Sequence, residues 1–376
     1  MNPGPAAVRG GHEPRDRHFM AIALELAERG QYTVHPNPAV GCVIVRGNEI
    51  VGQGWHEVAG GSHAEVHALE SAGERARGAT LYVTLEPCNH TGRTAPCTEA
   101  VIRAGVSRVV VASEDPNPLV SSRGLARLNQ AGIEVVSGVC ARAAGRLNRG
   151  FFKRMNTKMP FVTLKTAASL DGRTAMPEGE SQWITSELAR RDGHRLRALS
   201  SAVLTGIGTV ERDDPALTVR HVETTRQPDR IILDGNLSIS SDARVFDGPG
   251  NVYLFTTSAS PIPRELETKR GVEIIVCEDD NGRINLQEVL RECASREMNT
   301  ILVEAGSRLG GSFMNSRLVD EVVVYMSPDL LGSDAAPLFD LPGISRLADR
   351  IEMQCVRTER LDPDIKLVLA PRKSEG

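Results

Sequence analysis

His63-Ala64-Glu65 and the run Pro87-Cys88-Asn89-His90-Thr91-Gly92-Arg93-Thr94-Ala95-Pro96-Cys97 offer one imidazole, two thiols and one spare carboxyl. One imidazole and two thiolates bind zinc and leave a tetrahedral ion with an open position. Water at that position ionises near neutral pH, and a neighbouring carboxylate can carry its proton. The residues point to metal-assisted hydrolysis, with His63, Cys88 and Cys97 as ligands and Glu65 as acid and base. Two plainer readings stay open. Cys88 and Cys97 would be ordinary buried thiols, or His67, four residues after His63, would be a fourth ligand closing a structural site.

The elements that must position these groups follow from periodicity and punctuation. Residues 18–29 read as a helix closed by Gly30, and the run 32–38, with two prolines, cannot be helical. Val40–Val45 and Glu49–Trp55 read as a hairpin across Gly47-Asn48. A helix opens at Ser62 or His63, with Ser62 as a plausible N-cap, and runs to about Ala72. Thr80–Thr84 is a strand, and Cys97–Ala104 is a helix with Pro96 at its start. A strand at 108–112, a helix at 124–131 and a strand at 133–137 follow. Strands separated by single helices imply a sheet covered on both faces. His63 and Cys97 thus fall in first helical turns, where partial positive charge favours thiolate.

Composition bounds the rest. A chain of 376 residues suggests two domains. A net charge of −4 argues against a general polyanion binder, and no run of about 18 apolar residues suggests a membrane span. Residues 1–15 read as a disordered tail without the apolar core of a signal peptide. Seven cysteines, an odd number, do not suggest a disulfide framework, so the expected compartment is the reducing cytoplasm. The other five cysteines read as core or surface residues.

The spacing also carries a family resemblance. His-x-Glu followed by Pro-Cys and a second Cys resembles the zinc deaminases, in which the glutamate moves protons between water and the leaving nitrogen. Those enzymes place two residues between their cysteines, whereas eight separate them here. Together with Thr33-Val34-His35-Pro36-Asn37-Pro38-Ala39-Val40-Gly41 and Gly54-Trp55-His56, the segment resembles the deaminase half of the bifunctional riboflavin-biosynthesis RibD family. That resemblance implies a cytidine-deaminase-like three-layer domain over 16–155, whose substrate pocket is lined by Asn37, His56, His90 and Arg93. A guanidinium at Arg93 suits the substrate's phosphate. Taken alone, Asn37 reads equally as a turn residue, and His90 and Arg93 as a solvated loop.

The alternation breaks at Phe151–Pro160, a polar and basic stretch, and resumes over 160–376. Strands are predicted at 161–166, 202–206, 230–234, 251–256, 272–276, 300–304, 321–326 and 365–370, and a helix at 186–199. No Gly-x-Gly-x-x-Gly follows a strand. Two other glycine loops, Thr205–Thr209 and Glu304–Ser312, have the strand-turn-helix pattern that binds anions, although each reads as well as a tight turn. Lys165-Thr166-Ala167-Ala168-Ser169-Leu170-Asp171-Gly172-Arg173, Ser181-Gln182-Trp183-Ile184-Thr185, Asp213–Arg220 and Glu304-Ala305-Gly306 resemble the reductase half of the same family. This implies a dihydrofolate-reductase-like α/β domain using NADPH. By matching positions, Ala167, Trp183, Thr209, Asp213, Gly306, Ser307, Arg308, Leu309, Gly310, Gly311 and Ser312 would meet the nucleotide. Lys165, Ser181, Arg197, Leu217, Arg220 and Glu304 would meet the ribosyl phosphate. Arg197 and Arg220 are the cations suited to that phosphate, though Arg197 alone reads as well as a solvated helix face. Lys165 or Glu304 would assist proton transfer.

The chain is accordingly expected to be a two-activity enzyme. One Zn2+ would serve hydrolytic deamination of a phosphorylated pyrimidine, and NADPH would reduce its ribosyl chain. The implied partner is a small molecule, with no nucleic acid and no membrane, and a homodimer or higher homo-oligomer is the family expectation. Two rivals are a zinc deaminase acting on nucleic-acid bases and a structural zinc module. The first would need a basic, aromatic-rich surface, and aromatics are only 4% of the chain.

Overall fold

The computed structural model describes residues 13–89, 96–117, 122–257, 262–277 and 282–372. The chain forms two compact units that divide between Asn156 and Thr157.

The first unit runs α1 (Pro14–Glu28), β1 (Gly41–Arg46), β2 (Glu49–Trp55), α2 (Ala64–Ala72), β3 (Thr80–Val83), α3 (Cys97–Arg103), β4 (Arg108–Val111), α4 (Arg123–Gln130), β5 (Glu134–Ser137), α5 (Ala141–Leu147) and α6 (Arg149–Thr157). Its sheet has the order β2-β1-β3-β4-β5. β1 is antiparallel to both β2 and β3, and β3, β4 and β5 are parallel. Apolar side chains cover both faces. Cys42, Ile44, Leu81, Val83 and Val109 join one cluster, and Val43, Val45, Tyr82 and Val110 join the other with Phe19, Met20 and Ala23 of α1. Glycines on the strands set how closely the helices approach. A Cβ at Gly54 would lie 2.5 Å from the Cβ of His67 and 2.8 Å from the carbonyl of Ala64, so α2 rests directly on the β2 backbone.

Three local expectations change. α1 starts at Pro14, a residue suited to a first turn, so it takes in two residues of the predicted tail. Asp16 anchors that turn by accepting from Arg108 at 2.8 and 2.9 Å and from the Tyr82 hydroxyl at 3.0 Å. Residues 1–12 lie outside the described residues. Ser62 is not the cap of α2; His63 holds that place without a side-chain cap bond, because its ring turns toward the two cysteines. The polar break predicted at 151–160 is mostly α6, which buries Gly150 and Phe151 and leaves its basic residues half-exposed. The chain then turns at Lys158, whose φ is 59°.

The second unit runs β6 (Phe161–Ala168), β7 (Arg173–Ala175), α7 (Glu187–Leu199), β8 (Ala202–Gly206), α8 (Ile207–Asp213), β9 (Asp229–Leu233), β10 (Val252–Thr256), α9 (Arg264–Glu267), β11 (Val272–Val276), α10 (Leu286–Ser295), β12 (Thr300–Glu304), α11 (Ser307–Asn315), β13 (Glu321–Met326), β14 (Ala336–Pro337), β15 (Met353–Leu361) and β16 (Asp364–Pro371). The main sheet has nine strands in the order β11-β10-β9-β8-β12-β6-β13-β16-β15. The first seven are parallel, and β16 and β15 turn antiparallel. The parallel strands are apolar on both faces, as a sheet covered by helices requires. Their carboxyl ends bring Lys165, Gly206, Asp234 and Glu304 to one edge, where open parallel sheets bind ligands.

Candidate active sites

The first site is assembled at two helix starts. His63 precedes α2, Cys97 is the first residue of α3, and Cys88 lies on the loop leaving β3. Nδ1 of His63 is 3.1 Å from Sγ of Cys97 and 3.5 Å from Sγ of Cys88. The three donor atoms lie within 4.8 Å of one another, as ligands around one ion must. The backbone N–H of Cys97 points at Cys88 Sγ at 3.4 Å, and the Thr98 hydroxyl donates to Asn89 Oδ1 at 2.8 Å. These bonds tie the Cys88 loop to α3. His67 is outside the ligand group, because its Cβ packs on β2 at Gly54. No fourth protein ligand joins the group among the described residues.

The electrostatics of this group call for a cation. A hydrogen bond from the Cys97 thiol, reinforced by His63, draws Cys88 down to about 4. Cys97 is pushed far up, because its hydrogen bond to Cys88 would be lost on ionisation, its site is buried and Glu65 is nearby. Burial also raises Glu65 to about 7 against the pull of His63. The two thiols thus oppose each other's ionisation. A dication supplies the missing charge, and the donor set of one nitrogen and two sulfurs fits zinc. Glu65 is 3% exposed and hydrogen-bonds Cys97, so its carboxyl sits against the ligand group.

Asn37 and His56 extend the same site. The His56 ring meets that of His63 edge-on at 5.5 Å. His56 Nδ1 lies 3.0 Å from the carbonyl of Ser62, a contact that requires a donor. Burial lowers the His56 pKa and keeps the ring neutral, so Nε2 accepts from the Asn37 amide at 3.0 Å. A residue not anticipated from sequence fixes this loop: Asn148 accepts from the Ala39 N–H and donates to the Ala39 carbonyl, both at 2.8 Å. An asparagine between two short helices carries no local signal of that role. His90 and Arg93 lie outside the described residues.

The second site gathers charge at the ends of β6 and β12. Glu304 accepts from Arg197 Nε at 2.6 Å and Nη2 at 2.9 Å, and Lys165 Nζ is 3.9 Å away. Burial would raise Glu304, but Arg197 and Lys165 together hold it down to about 2. Desolvation lowers Lys165, with Glu304 opposing. The remaining donor of Arg197 reaches the Thr218 carbonyl at 3.0 Å. Arg197 is thus 14% exposed and paired with Glu304 at the site where it is expected to meet the phosphate. Arg220 is exposed, and its backbone N–H is held by His194 Nδ1. Leu217, on the same loop, is buried with φ 54°, a strained conformation for leucine and one that clusters at functional sites. Ser181 is half-buried, and Trp183 is 68% exposed with the Arg190 guanidinium 4.5 Å from its ring centroid.

The two glycine loops are helices. Thr205 and Gly206 end β8, and Thr209 and Asp213 lie in α8. Gly306 is the N-cap of α11, and Ser307 to Ser312 form its first turns. Gly310 and Gly311 are buried, and a Cβ at Gly311 would lie 1.9 Å from the carbonyl of Asp340, so this position admits only glycine. Arg308, Leu309 and Ser312 face a cavity of about 970 Å³ beside the strand ends, large enough for a dinucleotide half. Ala167, on β6, pairs with Tyr325 of β13.

A zinc-binding deaminase fold joined to an α/β reductase fold is the class these two units define. Residues 13–113 match the cytidine and deoxycytidylate deaminase zinc-binding region, and residues 160–367 match the RibD C-terminal domain. The riboflavin biosynthesis protein RibD of Escherichia coli (strain K12) is 48% identical, with 94% of this chain and 99% of that one covered. The protein of that name from Haemophilus influenzae is 46% identical, over 95% and 98%. A solved structure of Acinetobacter baumannii RibD superposes with TM-score 0.90 at 44% identity, covering 96% of this chain and 99% of that one. A Thermotoga maritima structure titled diaminohydroxyphosphoribosylaminopyrimidine deaminase/5-amino-6-(5-phosphoribosylamino)uracil reductase gives TM-score 0.85 at 37% identity, over 95% and 99%. The chain belongs to the RibD family, the bifunctional deaminases and reductases of riboflavin biosynthesis. Zinc is the metal of its deaminase domain and NADPH the reductant of its second domain.

Proposed function

We propose that residues 16–155 convert 2,5-diamino-6-ribosylamino-4(3H)-pyrimidinone 5′-phosphate to 5-amino-6-(5-phosphoribosylamino)uracil. Residues 160–376 then reduce the ribosyl chain to ribityl with NADPH. His63, Cys88 and Cys97 would hold the zinc, which when bound activates water for attack on the ring carbon. Glu65 takes a proton from that water and delivers it to the departing 2-amino nitrogen, which leaves as ammonia. A buried carboxyl drawn up to about 7 suits both directions of transfer. Asn37, oriented by His56, would accept from the pyrimidine, and His90 and Arg93 would complete the pocket. In the second unit Lys165 or Glu304 would assist proton transfer to the ring-opened sugar. Arg197 and Arg220 would supply the phosphate contacts, alongside Ser181 and Leu217. Ala167, Trp183, Thr209, Asp213 and the exposed face of Gly306–Ser312 would meet the nucleotide.

The observation that carries this reading is a three-donor group with a buried glutamate against it and no fourth ligand among the described residues. The assembly we expect is a homodimer or higher homo-oligomer, and the compartment is the cytoplasm. Seven free cysteines support a reducing compartment, and no described helix is long and apolar enough to cross a membrane. Ammonia release and NADPH oxidation, measured separately on the diamino substrate with zinc content determined on the same sample, test the reading. Absence of either activity in zinc-replete protein would refute the corresponding half.

A further inference from the structure

The loop 217–220 is held one residue at a time. Arg197 Nη1 donates to the Thr218 carbonyl at 3.0 Å. The Gln227 carboxamide brackets Val219, accepting from its N–H at 2.7 Å and donating to its carbonyl at 3.2 Å. His194 Nδ1 accepts from the Arg220 N–H at 3.3 Å, and its ring meets that of His221 edge-on at 4.8 Å. The backbone these bonds hold is forced at Leu217, whose φ of 54° is a left-handed conformation, costly for a residue with a Cβ. Such a conformation persists only where its surroundings over-determine it. Of the side chains that do so, His194 and Gln227 have no part in the chemistry described above.

His194 can hold the loop only as a neutral ring. Burial, and then the charges of Arg197 and Arg220, hold it down to about 4, so Nδ1 keeps a lone pair for the Arg220 N–H. His194 and Arg197 are three residues apart on α7 and share a face, so one helix grips the loop twice. Gln227 grips it from the segment entering β9. The Arg220 side chain is thereby exposed on a fixed backbone. A guanidinium carried on a free loop loses backbone freedom when it closes on a phosphate. One on a fixed backbone loses less and keeps its fork aimed for bidentate contact.

We infer that His194 and Gln227 are positioning residues that hold Arg220 where it selects a phosphorylated ribosyl substrate over its unphosphorylated counterpart. The inference rests on the reading that Arg220 contacts the substrate's phosphate.

Ribose 5-phosphate and ribose, titrated separately into the zinc-loaded full chain and followed by ligand-detected NMR, test it without turnover. Wild type should bind ribose 5-phosphate at least roughly tenfold more tightly than ribose. His194→Phe keeps a ring and removes the acceptor. It should weaken ribose 5-phosphate by roughly tenfold while NADP+ affinity stays within about twofold. His194→Asn, whose Oδ1 can stand where Nδ1 stands, should restore binding to within about threefold of wild type. Gln227→Leu, acting from the other side of the loop, should match His194→Phe. In an Arg220→Ala background His194→Phe should cost nothing further, because a residue acting through Arg220 has nothing left to position. Wild-type affinity in both His194→Phe and Gln227→Leu, loss of NADP+ binding in both, additive losses with Arg220→Ala, or no rescue by His194→Asn would overturn the inference. NADPH oxidation on the deaminated substrate by a wild type that does not prefer ribose 5-phosphate sinks the loop assignment alone. The full pattern of variants without any NADPH oxidation upholds the loop and sinks the reductase reading.

Discussion

The two sites treat buried charge in opposite ways. In the first unit two thiols and a carboxyl converge on one imidazole, so negative charge outweighs positive and the two thiols oppose each other's ionisation. In the second, one carboxylate is flanked by Arg197 and Lys165, with Arg220 exposed nearby, so positive charge is in excess and the acid stays ionised down to about 2. The first site is completed by a cation, and burial raises its carboxyl above the ordinary range. The second is completed by anions, a phosphorylated substrate and a phosphorylated cofactor, and its own carboxylate is held ionised by its cations. The two chemistries follow from this difference. Proton shuttling needs a carboxyl that changes state, whereas hydride transfer needs a fixed field around a cofactor.

The sharpest way to break the contrast is Glu65→Gln. It should remove ammonia release, a loss of roughly 10²- to 10⁴-fold or to background, while zinc content and NADPH oxidation on the deaminated substrate stay at wild-type levels. Full residual deamination would show that Glu65 is not the proton carrier. Cys88→Ser should lower zinc content and ammonia release together and leave reduction intact; elemental analysis beside both assays separates the two. Retained stoichiometric zinc in that variant would remove Cys88 from the ligand set. Gly54→Ala comes next. The added Cβ meets the Ala64 carbonyl and the Ala68 N–H within 2.8 Å, so α2 must lift from β2 and carry His63 and Glu65 with it. A displacement near 1 Å should cost roughly 100-fold in ammonia release, again without effect on reduction.

That last variant shows where sequence reading stops. His63, Glu65, Cys88 and Cys97 were legible because their chemistry is written in residue type and short spacing, and because helix starts at His63 and Cys97 follow from Pro96 and from the apolar period. The close seat of α2 on β2 was not legible, since Gly54 reads locally as an ordinary strand glycine. Asn148 was missed for the same reason: its partner, Ala39, is 109 residues away. In the second unit the parallel strands were apparent from their apolar runs. The pairing of Arg197 was not, because Glu304 is 107 residues off and only the fold brings α7 against β12. The close packing of Gly311 under Asp340 was not legible either, since a glycine beneath a carbonyl and a glycine at a phosphate look alike in sequence.

The paired carboxylate of the second site gives the next effect in size. Glu304→Gln leaves the Arg197 guanidinium, 14% exposed, without its counter-ion. Breaking a buried pair from one side costs about 3–5 kcal/mol. The reductase transition, identified by its response to NADP+, should shift to lower denaturant by that amount, and the deaminase transition should not move. An unchanged reductase transition would mean that the pair is solvated.

The same variant sharpens the comparison through pH, with a smaller effect. Folding draws Glu304 from its ordinary value of 4.5 to about 2, so the folded state favours the ionised form. A depressed acid contributes stability that is fully present above its unfolded value and fades as pH falls through its folded value. The gap between wild type and Glu304→Gln in the reductase transition should therefore be constant from pH 7 to about 5. It should close between about 4.5 and about 2, losing on the order of 3 kcal/mol. Asp16→Asn serves as the counterpart in the first unit, where Arg108 and Tyr82 hold the carboxylate below its ordinary 3.8. Its neutral-pH cost should be about 2 kcal/mol, confined to the deaminase transition and lost below pH 3.8. A Glu304 gap that stayed open at the acid end would show that the missing interaction is steric, and the second site would then owe its frame to packing and not to charge.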